Sequence, residues 1–177
     1  MLMPAVHAQD PVDRLTAFAL ATNQPGTIAS ARVEILILRW STDAEQGQLV
    51  SALLTGGPPA MEKVLDHMPR AAILRPSNSL GIEFQFASRQ IAENGSERIV
   101  LISLVPVSFW KTPSRADIDQ YPFTTVELQL IANGTGEGKL SLFTRAYVDR
   151  NHKAIVMQDY EPQPILLQNV KRESRPP

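Results

Sequence analysis

Residues 124–148 read TTVELQLIANGTGEGKLSLFTRAYV, and the fold class follows from how that stretch alternates. Val126, Leu128 and Leu130 alternate with Thr125, Glu127 and Gln129. After Asn133-Gly134-Thr135-Gly136-Glu137-Gly138, a second run alternates Leu140, Leu142, Thr144 and Ala146 with Lys139, Ser141, Phe143 and Arg145. Successive side chains of a strand point to opposite faces, so a period of two means one buried and one wetted face. The three glycines of the central segment are expected to supply the positive φ angles of a tight reversal. The stretch is a β-hairpin, and it implies an antiparallel sheet.

Outward from the hairpin the same grammar recurs. Upstream, Leu80, Ile82, Phe84 and Phe86 alternate with Gly81, Glu83, Gln85 and Ala87, and Glu93-Asn94-Gly95-Ser96 carries the Asn-Gly pair of a hairpin turn. Arg98 to Val105 is apolar nearly throughout, as a central strand would be, and Ala72 to Arg75 is a short strand. Downstream, Asp149-Arg150-Asn151-His152 turns, Ala154 to Gln158 forms a strand, and Pro162 and Pro164 open a last one running through Val170. Residues 10–21 fit either a capped helix or a short first strand. Thr27 to Trp40 reads as a long strand, with Ala31, Val33, Ile35 and Ile37 on one face.

One segment breaks the pattern. Thr42-Asp43-Ala44-Glu45 matches a capping box, Leu49, Ala52 and Leu53 follow at helical spacing, and Gly56-Gly57 ends that helix. Pro58-Pro59 starts a second, whose stripe is Met61, Val64, Leu65 and Met68. A two-helix insertion over residues 43–68 is therefore expected, covering the far end of the long strand. The whole reads as an α+β chain: an antiparallel meander of about eight strands, curled into a barrel or split into two layers. Residues 9–171 form one domain, with 1–8 as the remnant of a signal peptide and 172–177 as a solvated tail.

Composition narrows the chemistry. The 177 residues carry a net charge of −1 and no cysteine. No global field draws in nucleic acid, and disulfides, thiolate catalysis and cysteine-based metal centres are excluded. Nothing in the sequence calls for a cofactor or a metal. No apolar run is long enough to span a bilayer. Val6-His7-Ala8 before Gln9-Asp10 places small residues where a signal peptidase would need them, although a basic leader region is missing.

Motifs for catalysis are scarce. Gly136-Glu137-Gly138-Lys139-Leu140-Ser141 superficially looks like a phosphate loop, but Asn133 and Leu140 occupy positions that require Gly and Ser or Thr. His7, His67 and His152 have no second histidine at ligand spacing. Asp117, Asp119 and Tyr121, on the loop between Pro106 and Tyr121, are the candidate polar set for a small hydrolase or isomerase. Trp40 and Trp110 are read as core plugs, or else as the rim, with Arg39 and Lys111, of an apolar pocket between sheet and helices. Asn94-Gly95-Ser96 and Asn133-Gly134-Thr135 are formal glycosylation sequons that turn chemistry already explains.

The run Arg39-Trp40-Ser41-Thr42, the segment Gly136-Glu137-Gly138-Lys139-Leu140-Ser141 and the ending Gln163-Pro164-Ile165-Leu166-Leu167-Gln168-Asn169-Val170-Lys171 together resemble a group of exported bacterial proteins with no assigned activity. Mature chains of that group begin near a Gln-Asp-Pro, as Gln9-Asp10-Pro11 stands here. The resemblance implies a secreted or periplasmic location and no particular reaction. The expectation is thus a non-enzymatic domain that binds a small apolar ligand or a protein partner, and no nucleic acid.

Overall fold

A computed structural model describes residues 10–24, 27–77, 79–104, 121–152, 154–159 and 164–173. The chain runs β1 (Asp13–Gln24), β2 (Thr27–Ile37), α1 (Asp43–Asp66), β3 (Ala72–Pro76), β4 (Ile82–Phe84) and β5 (Phe86–Ile91). It continues through β6 (Glu97–Leu104), β7 (Phe123–Leu130), β8 (Thr135–Asp149), β9 (Ala154–Asp159) and β10 (Ile165–Arg172). Every described pairing is antiparallel, in the order β4-β3-β2-β1-β10-β8-β7-β6-β5, with β9 added to the far half of β8.

The two ends of that order are one piece of chain. β4 and β5 are separated only by Gln85, whose N–H donates to the Ile102 carbonyl at 3.2 Å. Ser103 Oγ donates to the Glu83 carbonyl at 2.6 Å. The strand therefore bonds β3 in its first part and β6 in its second, and the sheet curls into a nearly closed barrel. The bend at Gln85 also breaks the expected alternation. Phe84 belongs to the interior core and Phe86 to the cluster outside the barrel wall, where a straight strand would have put both on one face.

The interior is filled by side chains. Leu15, Ile35, Leu74, Ile99, Val126, Leu128, Leu140 and Leu167 are fully buried there. β1 supplies the small residues Ala17, Ala19 and Ala21, while Phe84 and Phe143 supply the bulk, a mixture that suits a narrow barrel. Each buried leucine or isoleucine contributes roughly 1.5–3 kcal/mol. Among the described residues these side chains form one continuous apolar core.

The decisive hairpin is present, with two corrections. Only Gly134 of its glycines has a positive φ, 81°. Gly136 and Gly138 lie within β8, where a Cβ would run into the backbone carbonyls of Gln129 and Glu127 on β7. They are glycines because two strands approach closely, and β8 begins at Thr135, before them. The register then slips between the Phe123–Thr144 and Thr125–Ser141 pairs, a β-bulge. Leu142 and Phe143 both join the interior core, and Ala146 lies in the cluster outside the wall, so Leu140, Leu142, Thr144 and Ala146 do not share one face. Thr124 Oγ1 donates to the Leu142 carbonyl at 2.8 Å and Thr144 Oγ1 to the Phe123 carbonyl at 3.0 Å, which satisfies groups at the bulge.

Residues 10–21, open between helix and strand in the sequence, form most of β1. The insertion forms a single helical element, α1, whose direction breaks at Gly57 (φ 68°, ψ −164°) before Pro58 and Pro59. The capping box is formed as expected, with Glu45 N–H donating to Thr42 Oγ1 at 3.1 Å and Thr42 N–H to Glu45 Oε2 at 2.8 Å. The helix does not cover the end of β2. Leu49, Leu53, Met61 and Leu65 pack on Phe86, Ile102, Phe123 and Ala146, on the outer wall made by β5 to β8. The reason is the path of residues 38–41, which cross the barrel end before the helix begins. Among the described residues, no helix is long and apolar enough to cross a membrane.

Candidate functional site at the barrel end

The crossing segment carries two of the four residues singled out in the sequence. Leu38 and Arg39 N–H groups both donate to the Ala71 carbonyl, at 2.8 and 3.2 Å. Ser41 then clamps Ala87 on β5, its N–H donating to the Ala87 carbonyl at 2.8 Å and its Oγ accepting from the Ala87 N–H at 3.0 Å. Trp40, held between these anchors, packs against the interior core. The guanidinium of Arg89 lies 4.9 Å above its ring. Arg39 turns elsewhere, with Nη1 donating to Glu45 Oε2 and Nη2 to the Pro69 carbonyl, each at 2.8 Å. The hydrogen bond from Arg39, opposed by burial, holds the Glu45 carboxyl below its ordinary value. Trp110 and Lys111 lie outside the described residues, as do Asp117, Asp119 and His7. Tyr121 is described and packs against the interior core. Between α1 and the sheet lies the apolar cluster around Leu49 and Phe86, and of the expected pocket rim only Arg39 and Trp40 fall among the described residues.

The other candidates stay apart. His67 is exposed, its Nδ1 2.7 Å from the Lys63 carbonyl. His152 pairs with Asp149 at 2.6 Å in an exposed turn, and this contact lowers the Asp149 carboxyl from its ordinary value. No group of three His, Cys, Asp or Glu side chains among the described residues is placed to hold a metal ion. Both sequons are Asx turns: Asn94 Oδ1 accepts from Ser96 N–H and Oγ, and Asn133 Oδ1 from Thr135 N–H and Oγ1.

What the barrel end does assemble is a partly buried ion triad. Arg172 Nε donates to Asp13 Oδ1 and Oδ2 at 3.1 and 3.0 Å, and its Nη2 donates to Glu97 Oε2 at 2.8 Å. The side chains of Asp13 and Glu97 are only 12% and 6% exposed. Burial opposes the charge on Arg172, but hydrogen bonds to Asp13 and then Glu97 outweigh it and raise the guanidinium above its ordinary value. One guanidinium serves two carboxylates, and among the described residues Glu97 Oε1 is buried without a hydrogen-bond partner. An orphan carboxylate oxygen in a low-dielectric site is costly. Arg172 thus ends β10 as a structural cation rather than opening a solvated tail.

Two clefts flank the triad. One, of about 1360 Å³, opens beside Asp13, Arg172 and Arg89. The other, of about 870 Å³, includes Glu97 in its lining. It lies where the tips of the β5–β6 and β7–β8 hairpins meet β10, near the bulge at Asn169 (φ 50°). Across its floor the ladder places Gln90 opposite Arg98, Arg98 opposite Gln129, and Gln129 opposite Glu137. Ile91 and Ile131, 63% and 60% exposed, contribute apolar surface.

Sequence reasoning missed Asp13, Arg89, Glu97 and Arg172. Each of them had a signal. Asp13 falls in phase with Leu15 and Ala17, Glu97 with Ile99 and Leu101, and Arg89 with Ala87, so each is a charge on an apolar face. Arg172 likewise falls in phase with the buried Val170, beyond a register slip between Leu167 and Val170. Comparison of the chain with protein-family models, with curated proteins and with solved structures finds no match.

Proposed function

We propose that the chain is a non-enzymatic binding domain that works outside the cytoplasm and takes a small ligand with apolar surface at the barrel end. The observation that carries this reading is the 870 Å³ cleft, within the size range of small-molecule sites, into which Ile91 and Ile131 project beside polar side chains. Ile91 and Ile131, each more than half exposed at neighbouring hairpin tips, give the cleft apolar surface that a ligand could cover. The choice of location also follows from the interior, whose described face is lined by buried apolar side chains without the polar groups that orient a ligand. The proposed export rests on the resemblance and on the residues before Gln9.

A partner protein is the second reading, favoured by β9. That strand pairs with β8 along one edge, and no described strand pairs with its other edge. Such an edge accepts an added strand.

Titration with Nile red, a neutral apolar dye, tests the first reading. Saturable fluorescence enhancement is expected, and it is expected to fall severalfold in an Ile91→Ser/Ile131→Ser variant whose thermal unfolding is unchanged. No saturable signal, or a signal indifferent to the two substitutions, would overturn it.

A further inference from the structure

We infer that β9 pairs antiparallel with β9 of a second copy of this chain across a two-fold axis, an inference that rests on the reading of β9 as a binding edge. β9 bonds β8 in unbroken register from Asp149–Ala154 to Thr144–Asp159, and among the described residues no strand takes its other edge. Free edges are ordinarily guarded by proline, by lysine or arginine along the strand, or by a bulge. Ala154-Ile155-Val156-Met157-Gln158-Asp159 carries none of these. Its one charge, Asp159, is taken up within the chain by Lys139 Nζ at 2.9 Å.

The edge is complementary to itself. A two-fold axis normal to the sheet makes the two strands antiparallel, keeps each face on its own side and sets one residue opposite its own copy. Centring on Val156 uses the strand most fully: Val156 meets Val156, Ile155 of one copy meets Met157 of the other, and Ala154 meets Gln158. Ile155 and Met157 lie on the face where α1 packs, partly buried at the margin of the cluster around Leu49 and Phe86. Pairing sets two Ile–Met couples side by side there and carries the apolar cluster across the axis. On the opposite face Val156 stands beside Tyr147, its register partner on β8, which is 49% exposed. The two copies then line up Tyr147, Val156, Val156 and Tyr147 in one row, and such aromatic and β-branched neighbours are what stabilise a sheet from its side chains. Asp159 falls outside the five paired positions, so no like charges meet. Both free edges are consumed, and the assembly closes as a dimer instead of growing into a fibre.

Sedimentation equilibrium of the full chain over a wide range of concentration is expected to show a reversible monomer–dimer equilibrium. Val156→Lys places like charges on directly opposed positions and is expected to weaken the dimer about tenfold, with the monomer's circular dichroism unchanged. The chain has no cysteine, which allows a test of register. On oxidation Val156→Cys is expected to link into a covalent dimer. Gln158→Cys is not, because its two copies lie four residues apart, roughly 13 Å, in this pairing. A mass that stays monomeric, a dimer indifferent to Val156→Lys, or linkage at 158 in place of 156 would overturn the inference. Amide hydrogen exchange on a monomeric chain separates this failure from failure of the partner reading. Fast exchange at alternate residues of β9 would overturn the second copy alone and keep the edge open to another protein's strand. Slow exchange throughout β9 would overturn both.

Discussion

The triad shows how much one side chain can hold. Arg172 is the only described cation bonded to both Asp13 and Glu97, which come from the first strand and the middle of the chain. Replacing it by methionine leaves two largely buried carboxylates with no counter-charge. Arg172→Met is expected to cost about 3 kcal/mol in urea unfolding, the low end for breaking a buried pair. Adding Asp13→Asn and Glu97→Gln is expected to recover most of that loss, because the penalty belongs to the stranded charges. A loss under about 0.5 kcal/mol from Arg172→Met alone would mean that water already screens the site. None of the three residues is unusual by itself. Asp13, Glu97 and Arg172 could be noticed only as charges in phase with apolar core residues. At this scale the sequence showed the aromatic, Trp40, and hid the arginine that stacks on it, because Arg89 lies on a different strand.

Local elements were the most legible. The capping box Thr42–Glu45 forms as its letters demand, and so do the Asx turns at Asn94 and Asn133. Glu45 does double duty, capping the helix and gripping Arg39, which in turn binds the Pro69 carbonyl. Arg39, the main cause, holds the Glu45 carboxyl below its ordinary value. A carboxyl depressed in the folded state stabilises above its unfolded pKa, and that contribution is lost as pH falls through the folded value. Glu45→Ala is therefore expected to cost about 1–2 kcal/mol at pH 7. The gap between variant and wild type is expected to close as pH drops below about 4. Urea melts across that range check it, and a gap constant with pH would refute the assignment. What the letters could not show was irregularity inside elements. Leu142 and Phe143 are adjacent and apolar, so no polar residue marked the bulge between them. Likewise Phe84 and Phe86 look like one face until Gln85 bends the strand.

The molecule as a whole was legible in its class and not in its closure. Tight turns between alternating segments dictate antiparallel neighbours, and most of the ladder, from β1 with β2 to β8 with β9, joins strands close in sequence. Closure depends on the exceptions. β10 inserts between β1 and β8, joining the two ends of the described chain, and the β4–β5 bend joins β3 to β6. Neither contact has a local signal, since each side chain involved would look the same on an open sheet. The helix was misplaced for a related reason: only the strap from Leu38 to Ser41 tells which wall it reaches.

The pairing of β1 with β10 is the claim to test, and the chain offers a clean assay because it contains no cysteine. Phe18 and Gln168 are register partners across that pairing, and both are exposed. Cysteines at directly paired positions lie within disulfide reach, whereas strands at opposite edges of an open sheet do not. Oxidation of a dilute Phe18→Cys/Gln168→Cys variant is expected to give an intramolecular bond in nearly all molecules and a higher melting temperature. Free thiols throughout, or bonds formed only between molecules, would contradict a barrel closed by its first and last strands.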